Sequence, residues 1–416
     1  MGYTSPCRIV RPVEEEEMVY LDYNATTPID PRVWEAMIPY FREQFGNPNS
    51  SHPLGSQARE AVEEARGKVA SLIDAAPSEI VFTSGGSESN NMAIFGVARS
   101  RKARGRHIIA SAVEHPSVLE PCRRLEREGF EVTYLPVDEH CLVDPGDMER
   151  ALRDDTILVT VMLANNEVGT IQPIAQMAKL ARERGVVFHT DAAQAVGKIP
   201  VSVKELAVDL LTIAGHKLYG PKGVGALFLR EDLEIEPMIL GGSQERGLRA
   251  GTENVPLIVG LGEACAIVEE CLEPEMDRVR ALKERFLQGL FSVCPKLALN
   301  GHPHNSLPNT LNVSFPGIEA SCLLQEVPEV CASLGSACHG GSREPSRVLM
   351  AMGLEPKRAM GAVRFSLGRF TTEEEVERAL AVLGEWLRKR KKGPLAWIER
   401  LLGKGRKPLK VPSPIG

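Results

Sequence analysis

Six short runs rich in Val, Ile, Leu, Phe and Thr, each closed by Gly, Pro or a polar residue, constrain this 416-residue chain more than any other feature. They are EIVFTSG (79–85), RHIIASAVE (106–114), EVTYLPV (131–137), TILVTVML (156–163), GVVFHTD (185–191) and VDLLTIAG (208–215). Runs this short and this β-branched read as buried strands. Between them lie helical patterns at Ser89–Arg101, Pro116–Glu128, Gly146–Arg153 and Pro173–Arg184, the last two with charged faces and Pro or Gly at their ends. The alternation predicts an α/β fold with a mostly parallel sheet covered by helices. In such sheets ligands bind beyond the carboxyl ends of the strands, so chemistry is expected in the loops that leave these runs.

A long helical stretch follows, Pro256 to Val293, interrupted by Pro274 and linking two domains. Beyond it come Thr310–Phe315, a cysteine-bearing loop, VRFSLG (Val363–Gly368), and a helix from Thr372 opened by a Thr-x-x-Glu capping box. The expected organisation is a large domain over 27–270 and a smaller α+β domain over 271–387. The N-terminal segment 1–26 joins the small domain, and 388–416 is a basic tail.

Hydrophobic residues at 43% and charged residues at 25% are ordinary for a soluble protein with a sizeable core. No apolar run reaches the roughly 18 residues of a membrane helix, and Met1–Met18 lacks the apolar core of a secretory signal. Cytoplasm and no membrane partner are the expectations. The nine cysteines are odd in number and form no C-x-x-C pair. That argues against a disulfide framework and a four-cysteine zinc site, and no metal is expected. Cys265 and Cys271, in GEACAIVEEC, read as core packing.

Four segments carry the chemistry. Thr83–Asn90 (TSGGSESN) follows a strand and opens a helix. Its glycines, Gly85 and Gly86, let backbone N–H groups approach an anion at a helix N-terminus, with Ser84, Ser87 and Ser89 as added donors. It equally suits a plain strand-to-helix turn. Asp191, in HTDAAQ (189–194), can pair with a protonated heterocyclic nitrogen or cap the next helix. Lys217 in AGHKLYGPKG (214–223) is a Schiff-base candidate, since partial desolvation and the neighbouring His216 lower an amine's pKa. The alternatives are a surface loop lysine, and Lys222 as the reactive one. Cys338, in GSACHGGS (335–342), sits where neither helix nor strand is regular, either as a reactive thiol or as an incidental loop cysteine. Paired with His339 it lacks other well-spaced zinc ligands.

Taken together and in this order, these segments resemble one family closely. It is the cysteine desulfurases, including selenocysteine lyases, of the class V aminotransferase group, pyridoxal 5′-phosphate (PLP) enzymes of fold type I. The matching stretches are VYLDYNATTP (19–28), SGGSESNN, VEHPSV, LANNEVGTIQPI, HTDAAQAVGK, GHKLYGPKGVGAL, RAGTENVP, GSACHGGSREPS and RFSLGRFTTEEE, spanning most of the chain to about Leu383. The resemblance implies that the large domain binds PLP, with Lys217 forming the Schiff base. His115 would stack on the pyridine and shuttle protons, Asp191 would hold the ring nitrogen and Gln194 the phenolic oxygen. Gly86, Ser87 and His216 would take the phosphate, and Thr252 would reach the phosphate of the neighbouring subunit in a homodimer. Asn24, Asn166 and Arg364 would orient the substrate carboxylate, for which the arginine fork is suited.

Cys338 would be the nucleophile that takes sulfur from L-cysteine as a persulfide, releasing L-alanine. The persulfide would pass to a sulfur-acceptor or scaffold protein, for iron–sulfur cluster assembly or thiolation. A mobile loop is expected around it, flanked by Gly335, Gly340 and Gly341. Ala214 departs from the pattern, standing where many relatives have a phosphate-binding serine, which weakens the grip on that side. A selenocysteine lyase would use the same residues. The eight-residue loop Cys338–Pro345 resembles the long-loop desulfurases that serve scaffolds, although lyases can share such loops. A non-catalytic sulfur-relay or partner-binding module, the third reading, would not need Lys217, His115, Asp191 and Arg364 together.

The net charge of −6 hides an asymmetry. Arg388–Gly416 holds ten Lys/Arg and one Glu, a +9 segment on a body with 39 basic and 54 acidic residues, or −15. Trp397 with Leu401, and Ile398 with Leu402, share one helix face, and Pro408, Pro412 and Pro414 bar a longer helix. The tail reads either as a solvated segment or as a docking element for an acidic sulfur acceptor or tRNA.

Overall fold

The computed structural model describes residues 18–334 and 344–391. Cys338, its glycines Gly335, Gly340 and Gly341, and the tail from 392 lie outside the described residues. The described chain opens on a short strand, β1 (Val19–Tyr20). Seven strands then build the main sheet: β2 (Ile80–Thr83), β3 (His107–Ser111), β4 (Glu131–Leu135), β5 (Thr156–Thr160), β6 (Val187–Asp191), β7 (Leu210–Ala214) and β8 (Gly225–Leu229). Their order is β2-β8-β7-β6-β5-β3-β4. The links β4–β3, β3–β5, β5–β6 and β6–β7 are parallel, while β8 runs antiparallel to both its neighbours.

The six apolar runs all become strands of this sheet, and every residue of β2, β3, β5, β6 and β7 is buried. Successive side chains point to opposite faces. Ile80 and Phe82 therefore enter one core with the helices Pro53–Leu72 and Ile174–Glu183 and the first half of Val255–Val293. Val81 enters the other, with the helices Gly86–Ser100 and Pro116–Arg127. The run behind β8, GVGALFL (223–229), does not announce itself because it carries two glycines. Gly225 is where the chains come closest: a Cβ there would lie 2.6 Å from Ile213 O and 2.7 Å from Gly85 Cα. A side chain at 225 would push away the turn after β2.

The smaller sheet contains β9 (Ala298–Asn300), β10 (Thr310–Ser314) and β12 (Ala362–Ser366), antiparallel in the order β12-β10-β9. β11 (Val330–Cys331) pairs in parallel with β1. A third core joins Val19 and Leu21 to Val279, Leu282, Phe286 and Leu290 of the long helix and to Val376, Ala379 and Leu383 of the C-terminal helix. Phe286 meets Phe365 edge-on at 5.1 Å. At the start of the helix Glu373–Lys391, Thr372 Oγ1 accepts from Glu375 N and Glu375 Oε2 accepts from Thr372 N, the reciprocal capping pair. Arg388–Lys391, the start of the basic stretch, continue this helix.

One expectation is corrected. The stretch after the large sheet is a single helix of 39 residues, Val255–Val293, running through Pro274 without interruption. A proline removes one helix donor and crowds the carbonyl four residues back. Here Pro274 and Glu270 are both exposed, so that carbonyl can be hydrated. The two halves of the helix are meanwhile fixed in different cores.

Candidate active site

A cavity of about 1350 Å³ opens where the parallel strands end and the small sheet leans over them. Asn24, Gly86, Ser87, His115, Asn166, Asp191, Gln194, His216, Lys217 and Arg364 all line it. Residues from seven separate stretches thus meet in one space. Thr252 does not line this cavity and is exposed, and Cys338 lies outside the described residues.

Lys217 closes a single 3₁₀ turn, Gly215–Lys217, directly after β7. Its Nζ donates to Asn24 O at 2.6 Å and Ala25 O at 2.8 Å. Two carbonyls hold the amine without neutralising it. Burial, with the Arg364 guanidinium adding to it, lowers its pKa to about 8. His216 is pushed down to about 4 by burial and by Lys217, so its imidazole is neutral. Its Nδ1 lies 3.2 Å from Thr26 Oγ1. Lys222 also faces the cavity, so location by itself does not separate the two lysines.

Asp191 ends β6, 7% exposed. No helix begins directly after β6, so the capping alternative fails: Oδ1 accepts from Ala193 N at 3.0 Å within a turn, and Oδ2 accepts from Asn90 Nδ2 at 2.7 Å. Asn90 also donates to Ser117 Oγ, while its own Oδ1 is buried without a hydrogen-bond partner. Ser117 Oγ in turn lies 2.7 Å from His115 Nδ1, which also accepts from Ser117 N. One network therefore links Asp191 to His115 through Asn90 and Ser117.

At the opposite end, Gly85 takes φ 144°, a conformation glycine alone adopts readily, and no side chain caps the helix that begins at Gly86. A Cβ at Gly86 would come 3.3 Å from the Ala214 Cβ. Glu88 Oε2 accepts from Ser84 N and Oε1 from Arg249 Nε, each at 2.8 Å, bracing the turn. The first-turn N–H groups are thus left for an anion.

Arg364 enters from β12, 5% exposed. Nη2 pairs with Asp22 Oδ1 at 2.7 Å and Nη1 donates to Asn166 O at 3.0 Å, while the buried Nε has no partner. Asn166 enters this contact through its backbone. Burial raises the Asp22 carboxyl, and Arg364 opposes the rise.

Four participants escaped the sequence reading: Asp22, Asn90, Glu114 and Lys198. Each lies inside a quoted motif, yet nothing in spacing distinguished it. Glu114, beside His115, is buried. Its Oε1 accepts from Ser111 Oγ at 2.6 Å and Met162 N at 2.7 Å, Oε2 has no partner, and burial pushes the carboxyl up to about 8.

Chemically, the arrangement can hold an elongated planar group. Its anionic end would meet the turn at Gly85–Ser87, a carbonyl would face Lys217, and a basic ring nitrogen would meet Asp191. The orphaned Asn90 Oδ1 and the uncapped helix end fit such an occupant.

Comparison with known proteins agrees in detail. The aminotransferase class-V family model matches residues 19–379. A cysteine desulfurase IscS of Dictyoglomus turgidum is 51% identical over 367 residues, covering 88% of this chain and 93% of its own. A human cysteine desulfurase is 49% identical over 362 residues, covering 86% and 79%. Among solved structures, a NifS-like protein superposes with a TM-score of 0.84 at 42% identity, covering 89% of this chain and 99% of its own. SspA, solved in complex with cysteine, gives 0.77 at 40% identity, covering 85% and 100%.

Proposed function

The chain belongs to the aminotransferase class-V family and, within it, to the cysteine desulfurases, and from that premise we propose that it converts L-cysteine to L-alanine with PLP held on Lys217 and the sulfur taken by Cys338. In this reading it acts in the cytoplasm as a homodimer and hands the sulfur to an acceptor protein. One observation carries the proposal: an amine whose pKa is lowered to about 8, held by two carbonyls, shares a cavity with Asp191, His115 and Arg364.

PLP, when bound, supplies an electron sink that stabilises negative charge on the substrate carbon next to the amine. The residues of the chain do the rest. Lys217 would hold the cofactor covalently and, when free, would take the proton from the substrate α-carbon. Asp191 keeps a proton on the ring nitrogen, and Asn90 and Ala193 N hold that carboxylate in place. The first turn of the helix from Gly86, with Ser87 and the neutral His216, receives the phosphate. Arg364 offers its unpartnered Nε to the substrate carboxylate. The Cys338 thiolate then attacks the substrate sulfur: an S–S bond forms as the Cβ–S bond breaks. The electron pair of the broken bond stays on carbon, which takes up a proton and leaves as alanine. His115, tied through Ser117 to Asn90 and Asp191, is placed to pass protons at that carbon.

The test is alanine release from cysteine by wild type, Lys217→Ala and Lys222→Ala. Lys217→Ala should lose the yellow colour of bound cofactor and all turnover, and Lys222→Ala should keep both. Borohydride reduction that traps the cofactor on Lys222 overturns the assignment. Cysteine and selenocysteine compared side by side settle desulfurase against lyase.

A further inference from the structure

A second lysine lies beside Lys217 without lining the cavity. Lys198 sits four residues after Gln194, and its Nζ donates to Gln194 Oε1 at 2.5 Å and to Asn24 Oδ1 at 3.3 Å. Both carboxamides turn their oxygens towards this amine. With Oε1 so fixed, Gln194 Nε2 donates to Asn24 O at 3.0 Å, the oxygen that also accepts from Lys217 at 2.6 Å. With Oδ1 fixed, Asn24 Nδ2 donates to Thr310 Oγ1 at 2.8 Å and to Asn166 O at 3.3 Å, and Asn166 O accepts from Arg364 as well. Asn24 Oδ1 also accepts from Asn309 Nδ2 at 3.0 Å, so its orientation has a second support, whereas Lys198 is the partner shown for Gln194 Oε1 among the described residues.

Ion pairing does not account for this lysine. Among the described residues no carboxylate pairs with Lys198. The charged groups it meets are Lys217 and Arg364, both cations, and together with burial they push its pKa well down. A buried amine without an anion costs stability unless its hydrogen bonds do something specific. Gln194 Nε2 has two hydrogens, and Asn24 O takes one.

We propose that Lys198 is a positioning residue that locks the Gln194 carboxamide so that the second Nε2 hydrogen points at the phenolic oxygen of the cofactor. This rests on the reading above, that PLP is held on Lys217. An N–H donor at that oxygen favours its anionic form and lowers the pH at which the bound cofactor changes colour.

The experiment is an absorbance–pH titration of the PLP-loaded protein. Lys198→Met removes the donors and keeps the length, and the midpoint should rise by about one pH unit, the worth of one hydrogen bond. Lys198→Arg, which keeps a donor, should leave the midpoint close to the wild-type value. Gln194→Leu should raise the midpoint similarly, and the double variant should go no further than either single one, because both changes remove the same contact. Shifts that add in the double variant mean that Lys198 acts through its charge alone, and they overturn the proposal. So does an unmoved midpoint in either single variant. If Lys198→Met does not fold, Lys198→Ala with added propylamine asks the same question. Return of the midpoint with amine supports the lock, and indifference to amine refutes it. Failure of the underlying reading looks different: wild type would then show no cofactor band at all.

Discussion

Replacing Arg364 by lysine keeps the charge and removes the fork. The consequence can be worked out from the contacts. Arg364 spends Nη2 on Asp22 Oδ1 at 2.7 Å and Nη1 on Asn166 O, leaving the buried Nε unpartnered. Asp22 is the nearer anion, so a lysine head at 364 would be drawn to it, with no second rigid donor to offer a substrate carboxylate. What is lost is one charge-assisted hydrogen bond, about 1.5–3 kcal/mol. At 1.36 kcal/mol per tenfold, kcat/KM for cysteine should fall by roughly 10- to 150-fold. The assay is steady-state alanine formation, with the cofactor absorbance and melting temperature followed in parallel. The absorbance should be unchanged, because Lys217 and Asp191 keep their partners, while the melting temperature should drop by a few degrees with the lost bond to Asn166 O. A loss of less than about threefold in kcat/KM would show that the carboxylate is held elsewhere. A large loss accompanied by loss of the cofactor band would refute the argument too, since Arg364 would then be supporting the cofactor site.

The amine of Lys217 titrates near 8 in the folded chain against an ordinary 10.5. The rate at which cofactor-free protein captures PLP should therefore climb with pH to about 8 and level off above it; a rate that is flat from about pH 6 to 9 contradicts the lowered value. The same shift means that the folded chain binds fewer protons than the unfolded one between about 8 and 10.5. Wild type should therefore gain stability relative to Lys217→Met as pH rises through that window, in denaturant melts. Arg66→Met should cost about 3–5 kcal/mol in urea unfolding, because it leaves the buried Glu245 carboxylate, now paired to Arg66 at 2.8 Å, with only Phe82 N. Adding Glu245→Gln should recover part of that loss. Cys338→Ala should abolish alanine release from cysteine while retaining the cofactor band and activity on selenocysteine, and turnover of cysteine by this variant would place the sulfur acceptor elsewhere.

The strand runs and the helices between them were legible because short-range pattern decides them. β2, β3, β5, β6 and β7 are buried on both faces, and such strands leave continuous apolar runs in the sequence. β8 was not legible, since Gly225 is there to admit Gly85 of the turn after β2, 140 residues earlier, a contact that exists only once β2 and β8 are paired. Pro274 misled for the same reason: its local preference is to end a helix, and two separate cores hold the helix through it. The cavity-lining residues were readable as types in their motifs, a lysine after a strand end, an aspartate at a strand end, glycines before a helix. Their electrostatic state was not. That Lys217 titrates near 8 follows from burial and from Arg364, which lies 147 positions along the chain. That Arg364 keeps one free donor follows from Asp22 and Asn166 occupying the other two groups. Local sequence settled which segments become strands, because hydrogen bonding and side-chain alternation act over a few residues. The tertiary fold alone decided which buried charges face one another, because desolvation and Coulomb forces depend on distance in space and not on distance along the chain.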